Sequence, residues 1–445
     1  MFLGLDWGTH SSKWACFDAR TKQFHGNLPI YSSDLGCNGE ALTFAPQEGT
    51  LDEDYVVREL KQELIRAPLS SYFWDSDRPD TGTSLGEAVA FSLCCLLGDA
   101  HRQISSQLHS NWSKDLEVGF SFPNWLVEKQ RGARIAVKNF CEAVAVALYI
   151  FSCVGTDDLP QLGEAFPIRH WKDLVRQARS SIPQEGIQEL SLDNMTRLCF
   201  ESTESRVKYG FVVESLAAGL PYLRVMDVES VPGLPGLAKL LVVDVGAGST
   251  DIGYMLRLRN VTTGAEGFYF FPPAASLPLA GNELTKNIMS YYAARGEPLT
   301  FGRAEARKLQ QTDWMNIPYV QVWKTLIRQH VEQYIEGCTD RHWLPLPVSL
   351  NIVVTGGSGV VPGLRETIEE AVTNGLRDRG CDAQTISKVR RSGQRIPAVD
   401  FRTEAEYARR AVCLGAADPD KPSLRYMPKM DPPTRVIIQK PPQWV

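Results

Sequence analysis

Residues 240–251 read LLVVDVGAGSTD, and this stretch decides the fold class. Its apolar start predicts a buried strand, and the small residues after Asp244 predict a tight turn before a second strand at Ile252–Leu258. Asp244, at the end of the first strand, predicts a carboxylate that holds a metal ion through water. The turn has little side-chain bulk and ends in a hydroxyl, so a phosphate can approach its backbone N–H groups: Gly246, Ala247, Gly248 and Ser249.

The N-terminus repeats this order of strand, carboxylate, small-residue turn and strand. Phe2–Trp7 and Lys13–Asp18 predict the paired strands, and Asp6 is the carboxylate. An ordinary hairpin explains either segment alone, but the repetition predicts an internal duplication. Two anionic strand ends that face one another repel unless a cation lies between them, and a magnesium–nucleotide supplies that cation. The residues of this turn and its returning strand that would meet a phosphate are Gly8, Thr9, His10 and Lys13.

A third strand runs into glycines near the C-terminal end of the chain. Residues 352–359 read IVVTGGSG and are followed by Pro362, which predicts a strand, a turn at Gly356, Gly357 and Ser358, and then a helix. The first N–H groups of such a helix can meet a ribose or a phosphate. Helical patterns between the strands, among them residues 128–150 and 282–295, predict an α/β architecture with largely buried sheets.

Composition limits the classes of function. The chain has 445 residues, 43% of them hydrophobic and 22% charged, which is the balance of a soluble globular protein with two or three cores. A net charge of −5 gives no electrostatic reason to expect nucleic acid or a membrane as the main partner. We expect no stretch that approaches the ~20 apolar residues needed to span a bilayer. No secretory signal pattern is visible, and we expect a cytoplasmic protein.

Four segments resemble motifs of one ATPase superfamily, which contains actin, sugar kinases and heat-shock chaperones. LGLDWGTHSSKWACFD is similar to its first phosphate loop, LLVVDVGAGSTDIGYM to its second, and IVVTGGSGVVPGL to its adenosine motif. ESLAAGL, which begins at Glu214, resembles its first connecting helix. Four further segments favour the ATPase domain of the seventy-kilodalton heat-shock chaperones: VGFSFPNWLVEKQRGARIAVKNFCEAV, PLAGNELTKNIMSYY, GRAEARKLQQT and ARRAVCLGAA. We expect no counterpart of the peptide-binding domain of those chaperones.

The resemblance implies an α/β fold with two ribonuclease-H-like lobes around a nucleotide cleft, each with a smaller subdomain. Lobe I would span residues 1–213, with its subdomain at about 31–112 and an insertion at about 151–206. Lobe II would span residues 214–417, with its subdomain at about 262–325. Residues 418–445 are rich in proline and predict an extended, disordered tail.

The resemblance also implies roles for individual residues. Asp6 and Asp244 would set the hydration shell of Mg²⁺, and Glu214 would position the attacking water. Lys61 would be the catalytic lysine, with a solvated helix lysine as the alternative and Lys13 as the competing phosphate ligand. Thr9, His10 and Ser249 would contact phosphates. The residues that would border the adenosine are Gly281, Glu305, Lys308, Gly357 and Ser358.

The function implied is an ATPase that binds and hydrolyses Mg-ATP and switches conformation to act on other proteins. Substitutions relative to the chaperones put base preference and turnover in doubt: Val360, Leu309 and Arg409 near the base, and His10 and Ala247 in the phosphate loops. The alternatives are an actin-like filament former, a small-molecule kinase and a nucleotide-binding scaffold with little turnover. Protein partners would dock on the 151–206 insertion or on the tail, whose apolar segments are 436–438 and 444–445; surface decoration and disorder are the simpler interpretations.

Overall fold

The chain falls into two compact units. Unit 1 comprises Met1–Val213 and Ala416–Pro419, and unit 2 comprises Glu214–Gly415 and Asp420–Val445. The structure is a computed structural model. It describes residues 1–25, 30–47, 56–66, 73–78, 81–108, 115–122, 131–154, 158–182, 198–201, 206–229, 236–260, 263–310, 313–339, 348–378, 381, 389–391, 404–418 and 424–426.

Unit 1 contains a seven-stranded sheet, a four-stranded sheet and helices. The larger sheet consists of β1 (Phe2–Trp7), β2 (Ser11–Asp18), β3 (Gln23–His25), β4 (Ile30–Ser32), β8 (Asp115–Phe122), β10 (Leu198–Glu201) and β11 (Arg206–Val213). The smaller sheet consists of β5 (Leu35–Cys37), β6 (Ala41–Phe44), β7 (Val56–Val57) and β9 (Phe166–Pro167). The described helices are α1 (Leu60–Arg66), α2 (Leu85–Leu108), α3 (Arg131–Cys153) and α4 (Ile168–Ser181).

Unit 2 is built on a six-stranded sheet. Its strands are β12 (Gly236–Val245), β13 (Thr250–Arg259), β14 (Glu266–Leu277), β15 (Leu350–Thr355), β16 (Val389–Arg391) and β17 (Leu424–Tyr426). The described helices are α5 (Glu214–Val225), α6 (Gly281–Ala293), α7 (Phe301–Gln310), α8 (Pro318–Thr339), α9 (Leu364–Asp378) and α10 (Glu404–Ala416), with a 3₁₀ turn at Asp313–Asn316.

Both large sheets contain the same order of five strands. In unit 1 the order is β11-β8-β1-β2-β3, and in unit 2 it is β16-β15-β12-β13-β14. In each, the first three strands along the chain pair antiparallel, and the last two add in parallel on the other side of the first strand. The duplication predicted from the two turns is therefore present in the topology.

The central strands are apolar because both of their faces are covered. All ten residues of β12 are buried. On one face α5 lies so close that a Cβ at Gly219 would be 2.5 Å from Val242 Cγ2. α10 approaches α5 just as closely, since a Cβ at Gly415 would lie 1.7 Å from the carbonyl oxygen of Ala217. Glycine at these positions allows both close approaches.

Part of the predicted insertion is an integral part of unit 1. Trp171 of α4 is fully buried, and its indole N–H donates to the carbonyl oxygen of Glu87 at 3.0 Å. β9 pairs with β6 in the small sheet, and β10 pairs with β11 in the large one. Surface decoration is therefore the wrong interpretation of α4, because its apolar side belongs to the core.

Two further expectations differ from the structure. Within the described residues, the segment Ile135–Cys153 of α3 is long and apolar enough to cross a membrane by length and composition. However, 67% of the 18-residue stretch that meets this criterion is buried inside the protein. The prediction that no such stretch exists is wrong on that criterion. In the predicted tail, Leu424–Tyr426 form β17, which pairs in parallel with β14. The tail's apolar segments at 436–438 and 444–445 lie outside the described residues.

Candidate functional site

The first candidate site lies at the β1–β2 turn of unit 1. Asp6 and Lys13 are directly opposite in the antiparallel register, and Lys13 Nζ donates to Asp6 Oδ2 at 2.7 Å. Ser121, near the end of the neighbouring strand β8, donates from Oγ to Asp6 Oδ1 at 3.2 Å. Gly8 is required by the turn, since a Cβ there would lie 2.3 Å from the carbonyl oxygen of Ser11.

The carboxylate of Asp6 is buried yet charged. Burial raises its pKa, but the ammonium groups of Lys13 and Lys61 and the hydrogen bonds from Lys13 and Ser121 outweigh that effect and lower the pKa below its ordinary value. Lys61 belongs to α1 and is itself buried, with 6% exposure. Both candidate phosphate lysines therefore act electrostatically on the same carboxylate.

Backbone contacts fix the remainder of this turn. The carbonyl oxygen of His10 accepts a hydrogen bond from Ser33 N–H at 2.8 Å, and Ser12 Oγ and Ser33 Oγ lie 2.7 Å apart. Gly8, Thr9 and His10 themselves are only half-buried, so the tip of the turn stays accessible on a fixed base.

The second candidate site, in unit 2, is a cluster of three buried carboxylates. Asp244 and Asp251 are directly opposite on β12 and β13, and Glu214 begins α5. One oxygen from each of these side chains lies within 4.8 Å of the other two. Their exposures are only 5%, 1% and 6% respectively, so their mutual repulsion is weakly screened by water.

Hydroxyl groups orient two of these carboxylates. Thr355 Oγ1, at the end of β15, donates to Asp244 Oδ1 at 2.8 Å, and Ser249 Oγ donates to Asp251 Oδ2 at 2.6 Å. The turn is closed by Gly246 N–H, which donates to the carbonyl oxygen of Ser249 at 2.9 Å. Two carboxylates of this cluster are thus held in place by their neighbours.

The turn after β12 also joins the start of α6 and the turn after β15. Gly281 N–H donates to the carbonyl oxygen of Gly246 at 3.1 Å, and Ser358 N–H donates to that of Val245 at 3.0 Å. Gly356 has a φ of +85°, and a Cβ there would meet the Val245 carbonyl oxygen at 2.3 Å. Glycine at position 356 is therefore demanded by both backbone conformation and space.

A buried lysine lies beside this junction. Lys308 Nζ of α7 forms an ion pair with Glu305 and donates to Thr285 Oγ1 at 2.9 Å, to the Gly281 carbonyl oxygen at 3.3 Å and to Ser358 Oγ at 3.4 Å. Burial lowers the pKa of Lys308, and the neighbouring carboxylate of Glu305 opposes that shift. The sequence-predicted adenosine residues of α6, α7 and the Gly356 turn therefore meet at one place in unit 2.

The structure thus gathers the predicted residues into two sets. Asp6, Gly8, Lys13 and Lys61 lie together in unit 1. In unit 2, Glu214 and Asp244 lie together beside the turn that begins at Gly246. Gly281 connects this turn to Lys308 and its partners Glu305, Thr285 and Ser358, which we call the Lys308 cluster. Residues of these sets that sequence reasoning missed are Ser121, Asp251, Thr285 and Thr355. A signal existed for Asp251, because a second acid seven residues after Asp244 has to lie on the returning strand of the same hairpin.

Hard oxygen ligands of this kind suit a divalent cation. Mg²⁺ retains several waters and is commonly held by one or two carboxylates together with substrate phosphates. Three buried carboxylates whose oxygens lie within 4.8 Å of one another repel each other, and a cation bound between them would offset that repulsion. Asp244 and Asp251 are the residues best placed to hold such an ion, with Glu214 beside them.

Comparisons with known proteins give one structural similarity. No protein-family model matches the chain, and no curated protein matches it. Among 184 matching chains of solved structures is the crystal structure of an archaeal actin homolog in complex with ADP. The alignment covers 94% of this chain and 98% of that one, at 11% sequence identity and a TM-score of 0.40. Similarity at this level decides neither the family nor the function of the chain.

Proposed function

We propose that this protein is a nucleotide-binding ATPase whose unit 2 carries the centre for the metal and phosphates. The observation that carries the proposal is the cluster of Glu214, Asp244 and Asp251 beside a glycine turn. A buried group of like charges is costly unless a cation accompanies the ligand. Mg-ATP brings that cation together with phosphates that the N–H groups of the half-buried residues 247–249 can bind.

The shared strand order supports the ribonuclease-H-like lobes implied by the sequence. Each unit places an aspartate at the end of its first strand and a glycine turn directly after it. The proposal includes Asp6, the Gly8 turn, Lys13 and Lys61 of unit 1 as a second group that binds phosphate or its metal ion. The Lys308 cluster, with Gly281 and Glu305, is proposed to hold the ribose and base.

Hydrolysis at such a centre depends on positioning and on charge neutralisation. The oxygen of a water bonds to the γ-phosphorus, and the bond to the β–γ bridging oxygen breaks with its electron pair leaving on ADP. The water's proton ends on inorganic phosphate. Glu214 is proposed to orient that water, and Lys61 to offset the charge that develops on the phosphoryl group. A bound Mg²⁺ would neutralise charge on the phosphates.

We also propose that the protein acts as a switch on protein partners. The chain passes between its units at residues 213–214, 415–416 and 419–420, and the first two of these crossings lie at one end of α5 and one end of α10. These two helices approach each other closely through Gly415 and Ala217, as small residues at a hinge would allow. A hinge of that kind would let the nucleotide state change what a partner meets.

The insertion offers a surface with a definite charge for such a partner. Arg169, Lys172, Arg176 and Arg179 recur at helical spacing along one face of α4. Arg176 pairs with Asp173 in a largely exposed contact, and Lys172 pairs with Asp77 in a partly exposed one, so both pairs can exchange for a partner's acids. The apolar side of α4 is buried, so it cannot enter a membrane, and we propose an acidic protein as the partner.

The test is nucleotide binding and phosphate release in wild type, Asp244→Asn and Asp173→Asn. We expect Asp244→Asn to abolish Mg-dependent turnover because it removes a buried carboxylate of the centre. Asp173→Asn, an exposed aspartate on α4, should behave as wild type. Full turnover in Asp244→Asn would refute the proposed centre.

Two lysine variants separate the candidate phosphate ligands. We expect Lys61→Ala to slow phosphate release by about 10³-fold or more, in the range of the electrostatic clamps of phosphoryl transfer. Lys13→Ala should cost less if Lys61 has the catalytic role, and the reverse order would assign that role to Lys13. Sedimentation after Mg-ATP addition identifies a filament former, and tight binding without phosphate release identifies a scaffold.

A further inference from the structure

An ion pair on the helix that carries Lys61 has no role in the function proposed so far. Both terminal nitrogens of the Arg78 guanidinium lie close to the Glu63 carboxylate: Nη1 lies 2.9 Å from Oε2, and Nη2 donates to Oε1 at 3.0 Å. The Arg78 side chain is only 8% exposed and that of Glu63 27%. The hydrogen bond from Nη2 is directional, and the charge contact at Nη1 adds attraction between the two side chains.

Arg78 is itself held by a compact turn. Its N–H donates to the carbonyl oxygen of Thr83 at 2.9 Å, and its own carbonyl oxygen accepts from Thr81 N–H at 3.2 Å and Gly82 N–H at 2.9 Å. The guanidinium therefore extends from a backbone that is fixed on both sides. Such a side chain can serve as an anchor for whatever it binds.

Glu63 links Arg78 to the helix that carries Lys61. Glu63 and Lys61 both belong to α1, a helix of seven residues, which is too short to be stable alone in water. Leu60 and Leu64 attach one side of α1 to the core, with exposures of 1% and 3%. The pair with Arg78 adds a directional contact from Glu63, two residues after Lys61, so it restricts both rotation and sliding of the helix.

We propose that Arg78 is a positioning residue, which holds α1 through Glu63 and thereby keeps the Lys61 ammonium buried at the β1–β2 phosphate turn. The inference rests on the proposed function for the role of Lys61 in turnover. The placement of Lys61 can be tested without any turnover. A long lysine side chain has several rotatable bonds, so its placement near Asp6 depends on a helix that does not move.

The first measurement is the reactivity of individual lysine amines toward an N-hydroxysuccinimide ester, read by peptide mass spectrometry on the full-length protein without nucleotide. We expect slow labelling of Lys61 in wild type and fast labelling in Arg78→Gln. Lys13, which is paired with Asp6, should remain slow in both. Equal slow labelling of Lys61 in wild type and variant overturns the proposal, and so does equal acceleration at Lys13, since that reports general unfolding.

Two further variants guard against a folding defect and a non-specific charge effect. Glu63→Gln/Arg78→Gln removes both charges of this pair, so neither member is left as a lone buried ion; the variant should fold, and Lys61 should still be labelled fast. Arg328→Gln breaks an exposed pair with Glu332 on α8, and the labelling of Lys61 should remain slow in this variant. Slow labelling of Lys61 in the double variant would also overturn the proposal.

The second measurement is steady-state phosphate release. A misplacement of about 1 Å can cost a reaction about 10²-fold, so we expect Arg78→Gln to lower kcat on that order with little change in ATP affinity. Unchanged kcat with a released Lys61 would overturn the positioning role. If wild type shows no turnover, the proposed function fails, and lysine labelling alone decides whether Arg78 places Lys61.

Discussion

Asp251 and Asp244 are cross-strand neighbours with like charge, an arrangement that is normally destabilising in a sheet. We expect Asp251→Asn to raise the free energy of unfolding in chelator by up to about 1 kcal/mol, because it relieves this repulsion. The same variant should lose most of the stabilisation that Mg-ATP gives wild type. Urea unfolding under both conditions measures the two effects, and a variant that is less stable in chelator and equally stabilised by Mg-ATP would contradict the ion-binding role.

The burial of Lys308 predicts that the free energy of unfolding depends on pH. Burial lowers its pKa in the folded state, whereas in the unfolded chain the amine has its ordinary value of 10.5. Between these two values the unfolded state binds a proton that the folded state does not, so stability contributed by this group rises with pH.

Comparison with Lys308→Met removes the contribution of the groups that do not interact with Lys308. We expect the free energy of unfolding of wild type to rise relative to that of Lys308→Met as pH increases toward 10.5. Urea unfolding at a series of pH values from neutral upward gives the difference. A constant or falling difference would show that the lysine is not held in the way described.

The strands next to the carboxylates could be predicted from sequence because each is a local pattern. β12 and β13 enclose the apolar runs predicted at 240–243 and 252–258, and β1 matches the prediction at 2–7. The residues that complete the sites come from distant strands. Ser121 and Thr355 reach Asp6 and Asp244 through parallel pairing with partners more than 100 positions away. A hydroxyl after an apolar run is too common to reveal such a contact without the fold.

Elements with mixed signals were the harder ones to predict. Leu424–Tyr426 lie among prolines, which indicate extended structure but do not show whether the sheet edge of β14 accepts them. In α4, the amphipathic pattern indicates a helix but does not distinguish an apolar side buried in the core from one kept for a partner. Only Trp171, fully buried with its N–H bonded to Glu87, settles that question.

The contact between α5 and α10 makes a prediction at the element scale. An added Cβ at Gly415 would lie 1.7 Å from the Ala217 carbonyl oxygen, so one helix has to move. We expect Gly415→Ala to lower the free energy of unfolding by about 1–3 kcal/mol, the usual cost of overpacking. Gly337→Ala in α8, where nothing lies within 4 Å of the added carbon, should instead be neutral or stabilising by up to about 1 kcal/mol. Equal effects at both positions would mean that the two helices are not in close contact.

At the scale of the whole molecule, substitutions on the cationic face of α4 can test partner binding without disturbing the fold. Deletion of residues 155–204 would remove buried Trp171 as well as the strand β10, and the resulting loss of function would be ambiguous. Arg169→Glu/Arg176→Glu reverses charge at two exposed positions and should leave the thermal midpoint nearly unchanged.

We expect that charge-reversal variant to lose binding to an acidic test peptide, a Glu-rich 20-residue chain, by about tenfold or more, since each 1.4 kcal/mol is a factor of ten. Raising ionic strength should weaken the wild-type interaction in the same direction because the contacts are exposed. Arg328→Gln is the matched control on α8. Equal affinity in all three proteins would exclude the α4 face as the docking surface.

The glycine contact at Ala217 also bears on how unit 2 was assembled into the chain. The long continuous segment of that unit, Glu214–Gly415, starts and finishes at helices that touch, so its entry and exit points are neighbours in space. Segments with adjacent ends are the ones most readily transplanted into, or cut out of, a host polypeptide. Residues 214–415, which lack only β17 among the described strands of unit 2, are therefore a natural cassette for a chimaera and would carry the three carboxylates and Lys308 with them.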